Sequence, residues 1–190
     1  MPSTDTKTAI LDAAQGLIQI RGYHAFSYRD LAELVGIKPA SIHYYFARKS
    51  DLAEALVARY RVEFAGALAG LRNDSQDAMA LLASYAGLYS KTFENEGRWC
   101  LCASLAADVE TLEDDLRLAV RGFFEDQEQW LERVIEEGAR AGQLCLRGPA
   151  GVAARGILSA LEGALITARA HGNVKPLKEV STWLIGTFEP

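Results

Sequence analysis

The protein has 190 residues, 49% of them hydrophobic, and a net charge of −5. That content suits a folded, soluble protein with a real core, either one large domain or a small domain joined to a larger one. Cys100, Cys102 and Cys145 make an odd count with two of them too close for an ordinary structural bridge, so no disulfide framework is implied and a reducing cytoplasm is expected. The start, Met1-Pro2-Ser3-Thr4-Asp5, has neither a basic run nor an apolar one, and Arg155, Glu162 and Arg169 interrupt the most apolar late segment, so neither secretion nor a membrane span is expected.

Residues from about 6 to 21 repeat apolar positions at Ile10, Ala13, Ala14, Leu17 and Ile18, the spacing of a helix with one buried face. Ser27 followed by Asp30 has the form of a capping box, so a helix is predicted to start at Tyr28, with Leu31, Leu34 and Val35 as its apolar face. Gly36 stands where that helix needs a left-handed residue to stop, and Ile37 supplies a buried residue just past the corner. Pro39 suits the first turn of the next helix, over about 39–45, because its missing N–H needs no partner there. Ile42, Tyr45 and Phe46 form its inward face, which leaves Lys38, Ala40, Ser41, His43 and Tyr44 facing outward.

Such a helix is about 10 Å long and suits one pass through a major groove about 12 Å wide. Ala40 and Ser41 are small enough to let its backbone approach base edges, while Lys38, Tyr44 and Lys49 carry groups able to reach phosphate oxygens. Divided along the chain, the charge supports this. Residues 1–50 hold six basic and four acidic residues, a balance of +2, and the remaining 140 carry −7. A basic head and an acidic body held away from phosphate fit that asymmetry.

Gly36, Ile37, Tyr44, Phe46 and Lys49, preceded by Arg21-Gly22-Tyr23 and Phe26, resemble the DNA-binding domain of the TetR family of transcriptional regulators over roughly the first quarter of the chain. Lys38 and Pro39 stand where that family more often has a small hydroxyl and a basic residue, and His43 where it often has tyrosine; these departures bear on the operator sequence. The expected DNA-contacting set is Ser27, Tyr28, Arg29, Lys38, Pro39, Ala40, Ser41, His43, Tyr44 and Lys49, with Ser27 also a helix cap.

After Lys49, Asp51 falls in the first turn of a long helix carrying Leu52, Leu56, Tyr60 and Phe64, predicted to end near Leu71 and to connect head to body. Further helices are predicted at about 76–94, 100–109, 112–141, 150–171 and 177–188, with Asn95-Glu96-Gly97 and Gly148-Pro149 as breaks and no strand signal. The fold class is all-α, with about nine helices: a helix-turn-helix domain over 1–50 and a helical effector-binding and dimerisation domain over 51–190.

The body is dense in aromatics and sulfur at Tyr85, Tyr89, Phe93, Trp99, Cys100, Cys102, Phe123, Phe124 and Trp130. An apolar effector pocket is one reading, and a filled core is the other. The resemblance implies a small-molecule cavity among these middle helices whose occupation moves the heads off DNA. Arg98-Trp99-Cys100-Leu101-Cys102, with Leu105-Ala106-Ala107 and Leu112, resembles a subgroup of such regulators that respond to reactive electrophiles and acryloyl-type or quinone compounds. A helix N-terminus beside Arg98 favours a thiolate, which makes Cys100 the candidate sensor, although a free cysteine is often a small buried hydrophobe.

In the last two helices, Gly156, Ala160, Gly163, Ala164 and Thr167 form a stripe of small residues, and Leu177, Val180, Leu184 and Phe188 an apolar face. Gly156, Ala160, Gly163, Ala164, Val180, Trp183, Leu184 and Phe188 are the expected dimer interface. The resemblance implies a four-helix interface whose two-fold symmetry matches a palindromic operator. The function expected is therefore a homodimeric, cytoplasmic DNA-binding regulator, a repressor released from double-stranded DNA by a small apolar or electrophilic effector, with no membrane partner and no cofactor. A thiol enzyme built on Cys100 or Cys102 would need a nearby base, and only His171 lies outside the head; a helical ligand-binding module with no DNA role is the other alternative. Cys-x-Cys without a second paired cluster does not supply a metal site.

Overall fold

The computed structural model describes residues 4–94 and 98–190, so the expected break at Asn95-Glu96-Gly97 lies outside the described residues. Among the described residues the protein is all-helical: α1 (Thr4–Arg21), α2 (Tyr28–Val35), α3 (Pro39–Tyr45), α4 (Lys49–Asp74), α5 (Ala78–Glu94), α6 (Leu101–Ala106), α7 (Asp114–Arg140), α8 (Ala150–His171) and α9 (Lys175–Gly186). Short 3-10 turns at Tyr23–Ala25 and Val109–Thr111 complete the regular structure. The helix expected over 100–109 breaks after Ala106. Arg117 closes the following turn by donating to the carbonyls of Leu112 and Glu110, each at 3.0 Å.

The chain forms two compact units, Met1–Val62 with Cys100–Phe123, and Glu63–Trp99 with Phe124–Pro190. The division differs from the expected 1–50 and 51–190, and its boundaries fall inside α4 and α7. In the first unit α6 packs on α1, where the Ser104 hydroxyl donates to the Ile18 carbonyl at 2.9 Å. A segment more than eighty residues downstream thus completes the core under the first three helices. Ile10, Ile18, Leu31, Ile42, Leu52, Leu56, Leu101 and Leu105 are all fully buried there. Side chains of this size contribute about 1.5–3 kcal/mol each relative to exposure, far more than exposed ion pairs such as Lys175–Glu179.

On α2 the buried residues are Leu31 and Ala32, and Leu34 is 62% exposed rather than part of the apolar face. The reason is register: a two-turn helix packed through Leu31, Ala32 and Val35 has no inward side left for Leu34.

In the second unit α5 packs on α8 and α9, and α8 on α9. The α7 helix approaches the start of α5 at Gly138. A methyl added there would lie 2.8 Å from Leu144 Cδ1 and would also run into the Ala78 methyl. By length and composition α8 could cross a membrane, with a mean hydropathy of 1.3 over its most apolar window. Packing within the unit accounts for part of that composition: Ala154, Ile157, Leu161, Leu165 and Ala168 are buried against neighbouring helices, while 33% of the window as a whole is buried.

Candidate nucleic-acid interface and effector region

The head is built from local chemistry. Ser27 accepts from the Asp30 N–H at 3.4 Å, while the Ser27 N–H donates to Asp30 Oδ2 at 2.7 Å, so two otherwise orphaned donors at the α2 N-terminus are satisfied reciprocally. The Ser27 contact holds the Asp30 carboxyl below its ordinary pKa. Gly36 ends α2 in the left-handed conformation, at φ 74°, and Ile37 N–H closes the turn on the Ala32 carbonyl at 3.0 Å. Lys38 is extended, Pro39 occupies the first turn of α3, and Ile42 and Phe46 are buried.

This corner leaves Lys38, Pro39, Ala40, His43 and Tyr44 exposed, with Ser41 half-buried; Tyr44 is 73% exposed. Tyr45, expected inward, is half-buried. Ser27 and Arg29 are exposed on the preceding helix start. The face thus presents small residues at the first turn of α3, with a cation, a histidine and a tyrosine around them.

Two residues of the expected DNA-contacting set also make contacts that hold the head together. The Tyr28 hydroxyl is positioned to donate to the carbonyls of Arg48 at 2.6 Å and Phe46 at 3.1 Å, which ties α2 to the exit of α3. Burial, followed by the charge of Asp51, pushes the Tyr28 pKa up to about 12. His43 packs edge-on against this ring, with centroids 4.7 Å apart and its Nδ1 3.4 Å from the Ala47 carbonyl. Lys49 turns its ammonium inward: it donates to the Phe26 carbonyl and lies 3.8 Å from the centroid of Phe26 and 4.9 Å from that of Tyr23. Burial lowers its pKa. The physical reason is the cluster of aromatic faces at the start of α4, which takes a cation better than it takes a neutral side chain. Arg48, a cation at the same corner, is likewise engaged, with Nε and Nη2 on Asp51 Oδ1 at 2.9 and 2.6 Å. The sequence pattern contained both roles, since each lies within three residues of a helix start, but gave no sign that ring packing would outcompete solvent for Lys49.

The residues expected around an effector are divided between the two units. Cys100, Cys102 and Phe123 belong to the first, and Tyr85, Tyr89, Phe93, Trp99 and Trp130 to the second. Cys100 is the residue preceding α6, as expected of a cysteine at a helix start, but it is only 4% exposed, and Cys102 is fully buried. Burial raises the cost of a thiolate and blocks reagents, which weighs against Cys100 as an accessible sensor. In the second unit Trp130 stacks on Tyr85, with centroids 5.5 Å apart and ring planes at 19°, and the Tyr85 and Tyr89 hydroxyls lie 3.2 Å apart. Arg72 sits 5.8 Å from the Trp130 ring while pairing with Glu137 at 2.6 Å, and Arg169 lies 5.2 Å from the Trp99 ring. Phe93 is half-buried. A separate groove of about 440 Å³ opens between α5 and α9, bordered by Ala86, Gly87, Ser90, Ser181 and Thr182, and none of the expected effector residues borders it.

Of the residues expected at a dimer interface, Gly156, Gly163 and Trp183 are exposed, Trp183 by 71%, and Ala160, Val180 and Leu184 are half-buried. Ala164 is buried on the side of α8 that packs within the unit, and Phe188 is buried in the turn after α9, where its carbonyl accepts from the Cys145 N–H at 2.8 Å. Val152 and Ile166, absent from the expected set, are 56% and 50% exposed on α8. Their signal was available as apolar residues flanking the glycines at helical spacing.

Two family models match the chain. One describes bacterial regulatory proteins of the tetR family and covers residues 10–56; the other describes a tetracyclin repressor-like C-terminal domain and covers residues 78–184. Among solved structures, a TetR-family transcriptional regulator from Agrobacterium tumefaciens is 33% identical and superposes with a TM-score of 0.95, covering 98% of each chain. A TetR transcriptional regulator from Legionella pneumophila is 31% identical, with a TM-score of 0.89 over the whole of both chains. The transcriptional regulator AcuR of Cereibacter sphaeroides is 24% identical over 160 residues, 83% of this chain and 73% of that protein.

Proposed function

The chain belongs to the TetR family of bacterial regulatory proteins, and on that premise we propose that it is a cytoplasmic homodimer that represses transcription from a palindromic operator and is released by a small apolar effector. The observation that carries the DNA-binding half is the corner itself. A capped α2, a left-handed Gly36 and an α3 whose exposed first turn is Pro39-Ala40 put a short helix with small outward residues where a groove admits it. We assign base-edge approach to Ala40, Ser41 and His43, and phosphate contact to Arg29, Lys38 and Tyr44.

Dimerisation is assigned to α8 and α9. Trp183, Val152 and Ile166 leave large apolar surface uncovered, and among the described residues no atom beyond their own stretch of helix lies within 4 Å of where a methyl on Gly156 or Gly163 would stand, so a second copy can approach closely. Sedimentation at micromolar concentration tests this: a dimer supports the assignment and a monomer removes it.

The effector half rests on the aromatic packing of the second unit, and reversible binding there is favoured over covalent capture by Cys100. Operator and effector then oppose each other reciprocally, with a coupling of about 1–3 kcal/mol typical of such switches. Fluorescence anisotropy on duplex DNA from upstream of the protein's own gene, before and after treatment with a thiol-alkylating electrophile, separates the two routes. Selective binding that survives alkylation supports a reversible effector. Release by the electrophile that vanishes in Cys100→Ser would restore the thiol switch, and absence of selective binding would remove the regulator altogether.

A further inference from the structure

Gln127 lies on α7 in the second unit and is 2% exposed, and its Oε1 is buried with no hydrogen-bond partner among the described residues. Buried side-chain amides are almost always paired, and an orphan at this depth calls for an explanation. At helical spacing the amide shares its face with Trp130 and Leu131, three and four residues on, both buried. Trp130 is the ring stacked on Tyr85, whose hydroxyl lies beside that of Tyr89. A leucine would fit the apolar surroundings of such a face with no polar atom to satisfy, so the glutamine is not explained by packing.

We propose that Gln127 is the polar anchor of the effector site, and that the effector carries a hydrogen-bonding head, a carboxamide or a hydroxyl, on a planar apolar body. This rests on the reading of the second unit as effector-binding and names the chemistry it selects. An amide side chain both donates and accepts, so it meets a carboxamide at two points, and the neighbouring aromatic surface suits a flat body. A site built to hydrogen-bond its ligand discriminates strongly against an analogue lacking the polar group, because binding the analogue leaves the amide unpaired.

The test uses the full-length protein and benzamide as probe, with ethylbenzene as its apolar counterpart, followed by calorimetry and thermal shift. Benzamide is expected to bind the wild type and to bind Gln127→Leu at least tenfold more weakly, while ethylbenzene binds the variant as well as or better than the wild type. The variant itself is expected to melt at the same temperature or higher, since an orphaned polar group has been removed. Gln127→Met, unbranched and close in volume, repeats the comparison should leucine not fit. Equal benzamide affinity in wild type and variants, no benzamide binding by the wild type at millimolar concentration, or a variant that melts markedly lower would each overturn the assignment. Operator binding by the same preparations is read without probe. Intact DNA binding with no dependence on Gln127 sinks this inference alone, whereas loss of selective DNA binding by the wild type sinks the regulator reading.

Discussion

Tyr28 shows how one hydroxyl can fix the exit of a short helix. Its hydroxyl spans the exit of α3 through two backbone carbonyls, so Tyr28→Phe is expected to lower head stability by about 1 kcal/mol, the usual net worth of such a bond. Chemical denaturation checks this; an unchanged midpoint would show the bonds to be replaceable by water. Lys49 makes a sharper case, since a phosphate-binding lysine and a ring-packed lysine predict different losses. With its ammonium on the Phe26 carbonyl and over two rings, Lys49→Met should lower the melting temperature of the head and leave the slope of log affinity against log salt unchanged. A lysine on phosphate would instead reduce that slope by about 1. The sequence placed a cation at this corner correctly, and only the arrangement of Tyr23 and Phe26 reveals which way it points.

At the level of helices, caps and close approaches do most of the specifying. Asp30 and Asp51 both have their carboxyl pKa lowered, each first by a side-chain hydrogen bond, from Ser27 and Arg48 respectively. A depressed carboxylate contributes stability that is fully present above its unfolded value, near 4, and is lost as pH falls through the lower folded value. The starts of α2 and α4 should therefore loosen in acid below about pH 4. Protection of the Asp30 and Leu31 amides relative to their intrinsic exchange rates should fall there in the wild type, and Asp30→Asn should already show the lower protection at pH 7. Equal protection at pH 7 and pH 3 would contradict this. In the second unit Gly138→Ala places a methyl against Ala78 and Leu144, and overpacking of this kind costs about 1–3 kcal/mol; a melting temperature equal to wild type would show that α5 can yield. The capped starts were legible because Ser, Asp, Gly and Pro act on their own neighbours. The split of the 100–109 helix was not, because Arg117 closes that turn from beyond the segment.

Across the whole molecule, what could be read along the chain was the sequence of helices, and what could not was which of them share a core. Nothing in Leu101, Ser104 or Leu105 signals that they pack under α1, since any buried helix of that composition reads alike; the compact first unit therefore takes in residues 100–123. The same limit applied to the cysteines, whose helix-start position was legible and whose burial was not. Charge, by contrast, is additive along the chain, so the +2 of residues 1–50 against the −7 of the remainder survives folding and should make DNA association steeply salt-dependent. The most direct measurement is anisotropy of the purified protein on a duplex from upstream of its own gene and on a scrambled duplex, between 50 and 200 mM salt. A dimer whose two heads each engage several phosphates should prefer the native duplex and lose about 10³-fold or more in affinity over that range. Equal affinity for both duplexes, or binding indifferent to salt, would contradict a role in reading an operator.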